Sequence, residues 1–204
     1  MKEFYVLLQL LFVGVLASCK PINRLADESA QVFLDIPQFD LDHEKERQVV
    51  VDREAGQYLG HPTTVLLDDH KTVLVVYPKG HGKGAILFKR SKDGGKTWSE
   101  RLSTPLNWET SLETPTIYQI TKRSGEKRLL LFSGLYPIRL ATSDDDGQHW
   151  TPLKPIGSFG GIVAMASLVA RKDGKLMAFF HDDGRFIQEK GGGERRFRVY
   201  KTLS

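Results

Sequence analysis

One short pattern occurs twice in this chain, and its spacing constrains the fold more than any other feature. Ser91-Lys92-Asp93-Gly94-Gly95-Lys96-Thr97-Trp98 and Ser143-Asp144-Asp145-Asp146-Gly147-Gln148-His149-Trp150 both read S-x-D-x-G-x-x-W, 52 residues apart. Self-similarity at a fixed period marks a chain built from repeated supersecondary units. The flanks keep the period. His61-Pro62-Thr63 corresponds to Thr114-Pro115-Thr116, and the apolar run ending at Tyr77 corresponds to Arg128-Leu129-Leu130-Leu131-Phe132. A third unit starts near Val163, continues through Lys175-Leu176-Met177-Ala178-Phe179-Phe180 and reaches Arg198-Val199-Tyr200-Lys201-Thr202.

Each unit reads as short strands divided by turns. In the first, strands are expected at Thr63–Leu67, Thr72–Tyr77 and Ala85–Arg90, with a fourth after Trp98. Asp68-Asp69-His70 and Gly80-His81-Gly82 supply the turn residues between them. Four strands repeating at this period are the sign of a β-propeller blade. About three such blades fit in the chain.

The repeated pattern has a structural reason of its own. It falls between the third and fourth strands, where Ser and Asp side chains bond the turn's backbone and glycine supplies positive φ. The tryptophan is expected to fill space beside neighbouring strands. A calcium loop of the EF-hand kind fails, because Thr142 and Leu153 occupy the first and last ligand positions around Gly147.

The N-terminus reads as an address. Phe4 to Ala17 is an apolar run behind Lys2, too short for the roughly 20 residues that span a bilayer. It fits a signal-peptide core over 1–18. Leu16-Ala17-Ser18-Cys19 resembles the lipobox of bacterial lipoproteins, which makes the only cysteine a lipidation site and the chain an exported, membrane-anchored envelope protein. Residues 19–47 read as a tether and 48–204 as the folded body. A single cysteine excludes a disulfide framework and any cysteine-rich metal site. The net charge of +4 is spread among interleaved signs, as at Lys122, Arg123, Glu126, Lys127 and Arg128, so no nucleic-acid partner is expected. No phosphate-cradling loop and no metal-ligand spacing is present in the sequence, and no cofactor is expected.

Two such patterns in strand-rich blades behind an export signal resemble the Asp-box (BNR-repeat) sialidases, or neuraminidases, over about Arg53 to Ser204. The resemblance implies an all-β, six-bladed propeller and an exo-acting glycoside hydrolase that removes terminal sialic or related acidic sugars from glycans. A six-bladed ring at this period needs roughly 300 residues, so the chain reads as the N-terminal part of a longer protein. Family members hold the sugar carboxylate with arginines, use a tyrosine nucleophile and use an aspartate as acid and base. This chain departs from them. Gly60-His61-Pro62 stands where the family has Arg-Ile-Pro, and the loop Pro78–Gly84 has no carboxylate where the family carries its aspartate. The alternative is a non-catalytic, glycan-binding propeller on the cell surface.

Strand alternation puts the starts of the first strands and the loops after the second strands on one end, called the upper end below. Catalytic candidates there are Asp182, Asp183, His61 and His181. Carboxylates and imidazoles are the side chains that transfer protons near neutral pH. Substrate-binding candidates are Arg139 and Arg185 for a carboxylate, Lys79 and His81 for negative charge, Glu113 for a sugar hydroxyl and Tyr136 for stacking on a sugar ring. The run Lys190 to Arg196 reads as a hairpin tip.

Overall fold

The structure is a computed structural model that describes residues 39–187 and 198–203. The leader, Cys19 and the 190–196 tip lie outside the described residues. The chain divides into two units after Arg47. In the first, Lys45–Arg47 forms a 3-10 turn, with Arg47 paired to Glu44 at 2.8 Å.

The second unit is all-β. Its strands are β1 (Thr63–Leu66), β2 (Val73–Pro78), β3 (Ile86–Ser91), β4 (Thr116–Thr121), β5 (Lys127–Ser133), β6 (Arg139–Ser143), β7 (Lys154–Pro155), β8 (Ile162–Ala170), β9 (Leu176–Asp182) and β10 (Arg198–Leu203). They form three antiparallel sheets, ordered β1-β2-β3, β4-β5-β6-β7 and β8-β9-β10. The strands expected from the repeat fall within a residue or so of these bounds. The expected fourth strand of the first sheet is irregular. It is present as two main-chain bonds, Ser99 N to Arg90 O and Leu102 N to Phe88 O, both 2.8 Å.

The period-2 geometry of strands explains the layering. In β5, Leu129 and Leu131 point to one side and pack with Leu74, Val76, Ile86 and Phe88 of the first sheet. Leu130 and Phe132 point to the other side and pack with Met165, Ala178 and Phe180 of the third. The middle sheet is therefore buried on both faces, which is why β5 is an apolar run without alternation.

The first strands of the three sheets lie side by side and are latched by hydroxyls. Thr63 Oγ1 donates to Pro115 O at 3.1 Å and accepts from Ile117 N at 3.2 Å. Its repeat counterpart, Thr116, donates to Met165 O at 3.2 Å, and Tyr118 OH reaches the same carbonyl at 2.6 Å. Because these latches join like ends of β1, β4 and β8, the upper ends of the sheets share one side of the molecule.

Both copies of the repeated turn are built alike. Ser91 Oγ accepts from Gly95 N at 2.8 Å and donates to Asp93 Oδ1, which accepts from Thr97 N. Ser143 Oγ accepts from Gly147 N at 2.9 Å and donates to Asp145 Oδ1, which accepts from His149 N. Trp150 meets Phe88 and Trp108 edge-on at 6.0 and 5.3 Å, so it fills space between the first and second sheets.

Two stability outcomes follow from these turns. Gly94 and Gly147 share a left-handed φ, but a Cβ at Gly94 meets nothing, whereas one at Gly147 comes within 3.0 Å of Leu74 Cδ1. Gly94→Ala should cost about 1–2 kcal/mol of backbone strain. Gly147→Ala should cost about 1–3 kcal/mol more through overpacking, as read by urea unfolding. The second outcome concerns pH. Bonds from the Thr97 hydroxyl and amide and from Ser91 hold the Asp93 carboxyl at about 2, below its ordinary 3.8. Its folded pKa is depressed, so its contribution is complete above about pH 4 and is lost as pH falls through about 2. Asp93→Asn should therefore destabilise at neutral pH and cost progressively less toward about pH 2, measured as the unfolding midpoint against pH.

Candidate functional site

The upper end is assembled from six places: the starts of β1, β4 and β8 and the loops after β2, β5 and β9. A strap before β1 fixes the first of them. Tyr77 OH donates to Asp52 at 2.5 Å, Arg101 pairs with Asp52 and Glu54 at 2.7 Å each, and Lys89 Nζ donates to Val51 O at 2.6 Å. Burial alone would raise the Asp52 carboxyl, but the bonds from Arg101, Tyr77 and the Arg53 amide hold it below its ordinary value. Leu59 then bridges to Lys79 and Gly80. The strap thus delivers Tyr58, Gly60 and His61 beside the loop that carries His81.

His61 and His81 stack with ring centroids 4.7 Å apart and planes 21° apart. Tyr58 meets both rings on edge, at 6.4 and 5.5 Å. His61 holds a left-handed φ of 51°, uncommon for a residue with a side chain. Gly60 leaves room for the Tyr58 ring, which a Cβ there would push aside. Glu113 lies beside the same loop, its Oε1 3.5 Å from the Cβ position of Gly82. That carboxylate is 8% exposed and accepts from the Thr114 amide at 2.9 Å. Lys79 is taken by Glu54 at 2.8 Å.

The second sheet joins this cluster through Ser111. Its carbonyl accepts from Gly84 N at 3.1 Å, and its hydroxyl is bonded to the Ser133 hydroxyl at the end of β5. Next to it, Arg139 donates to the Thr110 hydroxyl and carbonyl at 3.4 and 3.1 Å. Burial lowers the Arg139 pKa. It has no carboxylate partner among the described residues.

The third sheet contributes a separate aromatic patch. Tyr136 stacks on Phe186 at 5.7 Å, and Arg185 lies over the Phe186 ring. Asp183 pairs with Arg185 at 2.9 Å; burial would raise the Asp183 carboxyl, but bonds from the Arg185 side chain and amide lower it overall. The β8 start meets the same patch, since Gly161 N donates to Leu135 O at 2.9 Å and a Cβ at Gly160 would strike Phe186.

Asp182, expected to be an acid/base carboxylate, sits differently. It is fully buried, and its Oδ2 accepts from the amides of Gly184, Phe186 and Ile187 at 2.8, 3.3 and 3.1 Å. Its Oδ1 is buried without a partner among the described residues. This carboxylate shapes the loop and has no oxygen open to a substrate. His181 lies within β9, opposite Ile162 and Val199, rather than on the loop. The structure thus brings His61, His81 and Glu113 together, places Arg139 against the neighbouring segment, and groups Tyr136, Asp183 and Arg185 in a second patch. Tyr58 and Phe186 are the additions. Tyr58 precedes the first repeat and has no counterpart in the later units, so the period could not reveal it.

A cleft of about 300 Å³ opens at the opposite, lower end, lined among others by Asp68, Asp69, Arg90, Lys127 and Asp146. Several of its charged side chains are bonded to one another or to the wall. Lys127 pairs with Asp68 at 2.9 Å, Arg90 donates to Asp146 O at 2.8 Å, and Asp69 accepts from Lys71 and Thr72. The cleft belongs to the repeated turns rather than to the upper-end clusters. Among the described residues, no group of three or more His, Cys, Asp or Glu is placed to hold a metal ion, and no helix is long and apolar enough to cross a membrane.

No family model and no curated protein matches the chain. Among solved structures, a point mutant of the NanB sialidase from Streptococcus pneumoniae is 18% identical over 58% of this chain and 19% of that chain, with a TM-score of 0.44. The same sialidase with a bound ethanesulfonate derivative is 18% identical over 63% of this chain and 20% of that one, with a TM-score of 0.42. The chain spans about a fifth of the length of these sialidases.

The Asp182 geometry makes a direct expectation. Asp182→Ala removes a buried carboxylate that binds three part-buried amides of the loop and should cost about 2–4 kcal/mol in urea unfolding. Asp183→Ala, at a more exposed ion pair, should cost under about 1 kcal/mol in the same assay.

Proposed function

We propose that this chain is part of an exported, lipid-anchored propeller of the sialidase type, which binds a terminal acidic sugar at its upper end and hydrolyses the glycosidic bond. The observation that carries the acidic substrate is Arg139. Its guanidinium is partly buried, held in place by the two oxygens of Thr110, and faces no carboxylate of its own among the described residues. A fixed guanidinium with an unneutralised charge suits a planar carboxylate, to which it can donate two parallel bonds. The Tyr136–Phe186 patch, with Tyr136 54% exposed, offers an apolar surface for a sugar ring. The paired turns at a 52-residue period support the propeller reading.

A non-catalytic glycan-binding role is the second reading, and one observation favours it. Asp182 is consumed by backbone amides, and Glu113 is nearly buried against its own segment, so the carboxylates nearest the upper loops are poorly placed to donate a proton to a leaving group. One experiment separates the two. The full-length protein is offered α-linked sialosides and uronic-acid glycosides, with binding read by calorimetry and turnover by released sugar. Release of the terminal acidic sugar supports the hydrolase, and saturable binding without release supports the second reading. In either case Arg139→Ala should weaken acidic-sugar binding by about tenfold or more, an amount equal to roughly 1.4 kcal/mol. Unchanged affinity in that variant would overturn the assignment of Arg139.

A further inference from the structure

The stacked histidines are unusual enough to ask what holds them in that arrangement. Two imidazoles face to face gain dispersion while neutral. When both are protonated they bear like charges a few ångströms apart, which costs free energy. The arrangement is built rather than incidental, since His61 adopts a left-handed backbone to reach it. Gly60 gives up its side chain so that Tyr58 can lie against the pair. Both rings are exposed.

The charges around them are few. Tyr58 meets both rings in edge contacts and brings no formal charge near neutral pH. Lys79 of the same loop is neutralised by Glu54. Glu113, from the segment before β4, is a second carboxylate beside the loop, near Gly82. Lys83 of the loop is an exposed cation with no partner among the described residues. An incoming carboxylate would tip this balance, because a negative group over the pair offsets the cost of protonating it.

We propose that the His61–His81 pair is a carboxylate-binding subsite that takes up a proton from solvent when an acidic sugar binds. This rests on the acidic-sugar reading above and deepens it by adding a second acid-recognising group beside Arg139. Imidazole is the side chain whose charge changes between about pH 5 and 8. Binding that favours the protonated pair therefore strengthens as pH falls through this range and weakens as it rises. A neutral sugar of the same shape gains nothing from protonation, so its affinity stays flat.

The test uses the full chain and N-acetylneuraminate, galacturonate and the methyl ester of N-acetylneuraminate as probes. Calorimetry in two buffers of different ionisation enthalpy reads the protons taken up. The expected result is uptake approaching one proton per acidic sugar near neutral pH, and none for the ester. Affinity for the acids should rise about tenfold from pH 8 to pH 5.5, as a single linked proton allows. His81→Gln and His61→Ala should each abolish the uptake. Imidazole proton resonances of the wild-type protein give a readout that needs no variant, since two of the histidines should shift with the acids and not with the ester. Proton uptake that persists in both variants, or acid binding that moves no imidazole signal, overturns the subsite and leaves the acidic-sugar reading standing. Absence of binding by either acid across the pH range overturns both.

Discussion

The double burial of the middle sheet is the constraint on which the rest depends. β5 has an apolar core on each side, so its consecutive leucines must serve two partners, and a slip of one residue would exchange the two faces. Antiparallel pairing on both edges fixes that register. With β5 pinned, its end at Ser133 fixes where the bond to Ser111 forms, and that bond places the segment carrying Thr110 and Glu113. The upper end inherits its geometry from a packing problem in the core.

Much of the architecture was legible in the sequence because repetition is a strong signal. Ser91 and Ser143 announce the same turn, and the bonds they make are the same in both copies. Thr63 and Thr116 were visible as a matched pair, although what they do, latching one first strand to the next, needed coordinates. The fourth strand of the first sheet was expected as a strand and is only an irregular pairing. Nothing in its composition reveals that Ser99 and Leu102 would bond β3 without a continuous ladder between them.

The candidate site was legible by address and much less by role. Topology alone put His61, His81, Glu113 and Arg139 at one end. What it could not supply was the state of each polar atom. Asp182 and Asp183 are neighbours of one type, and their fates differ because strand alternation turns one inward, where three amides wait, and leaves the other beside Arg185. Lys79 and Arg139 are both cations of second-strand loops or their ends. One finds Glu54 on the strap and the other, among the described residues, finds only the neutral oxygens of Thr110, and the strap carries no repeat by which it could have been anticipated.

The Asp182 turn has a consequence for how such a surface changes over time. Because a single inward carboxylate gathers the amides of Gly184, Phe186 and Ile187, the path of the loop is dictated by main-chain atoms that every residue except proline possesses. Asp183 adds one more main-chain bond, from the Arg185 amide to its Oδ1, but the side chains of Arg185 and Phe186 carry little of the duty of shaping the loop. They form a palette that drift can repaint, altering what the rim recognises while the backbone beneath keeps its course.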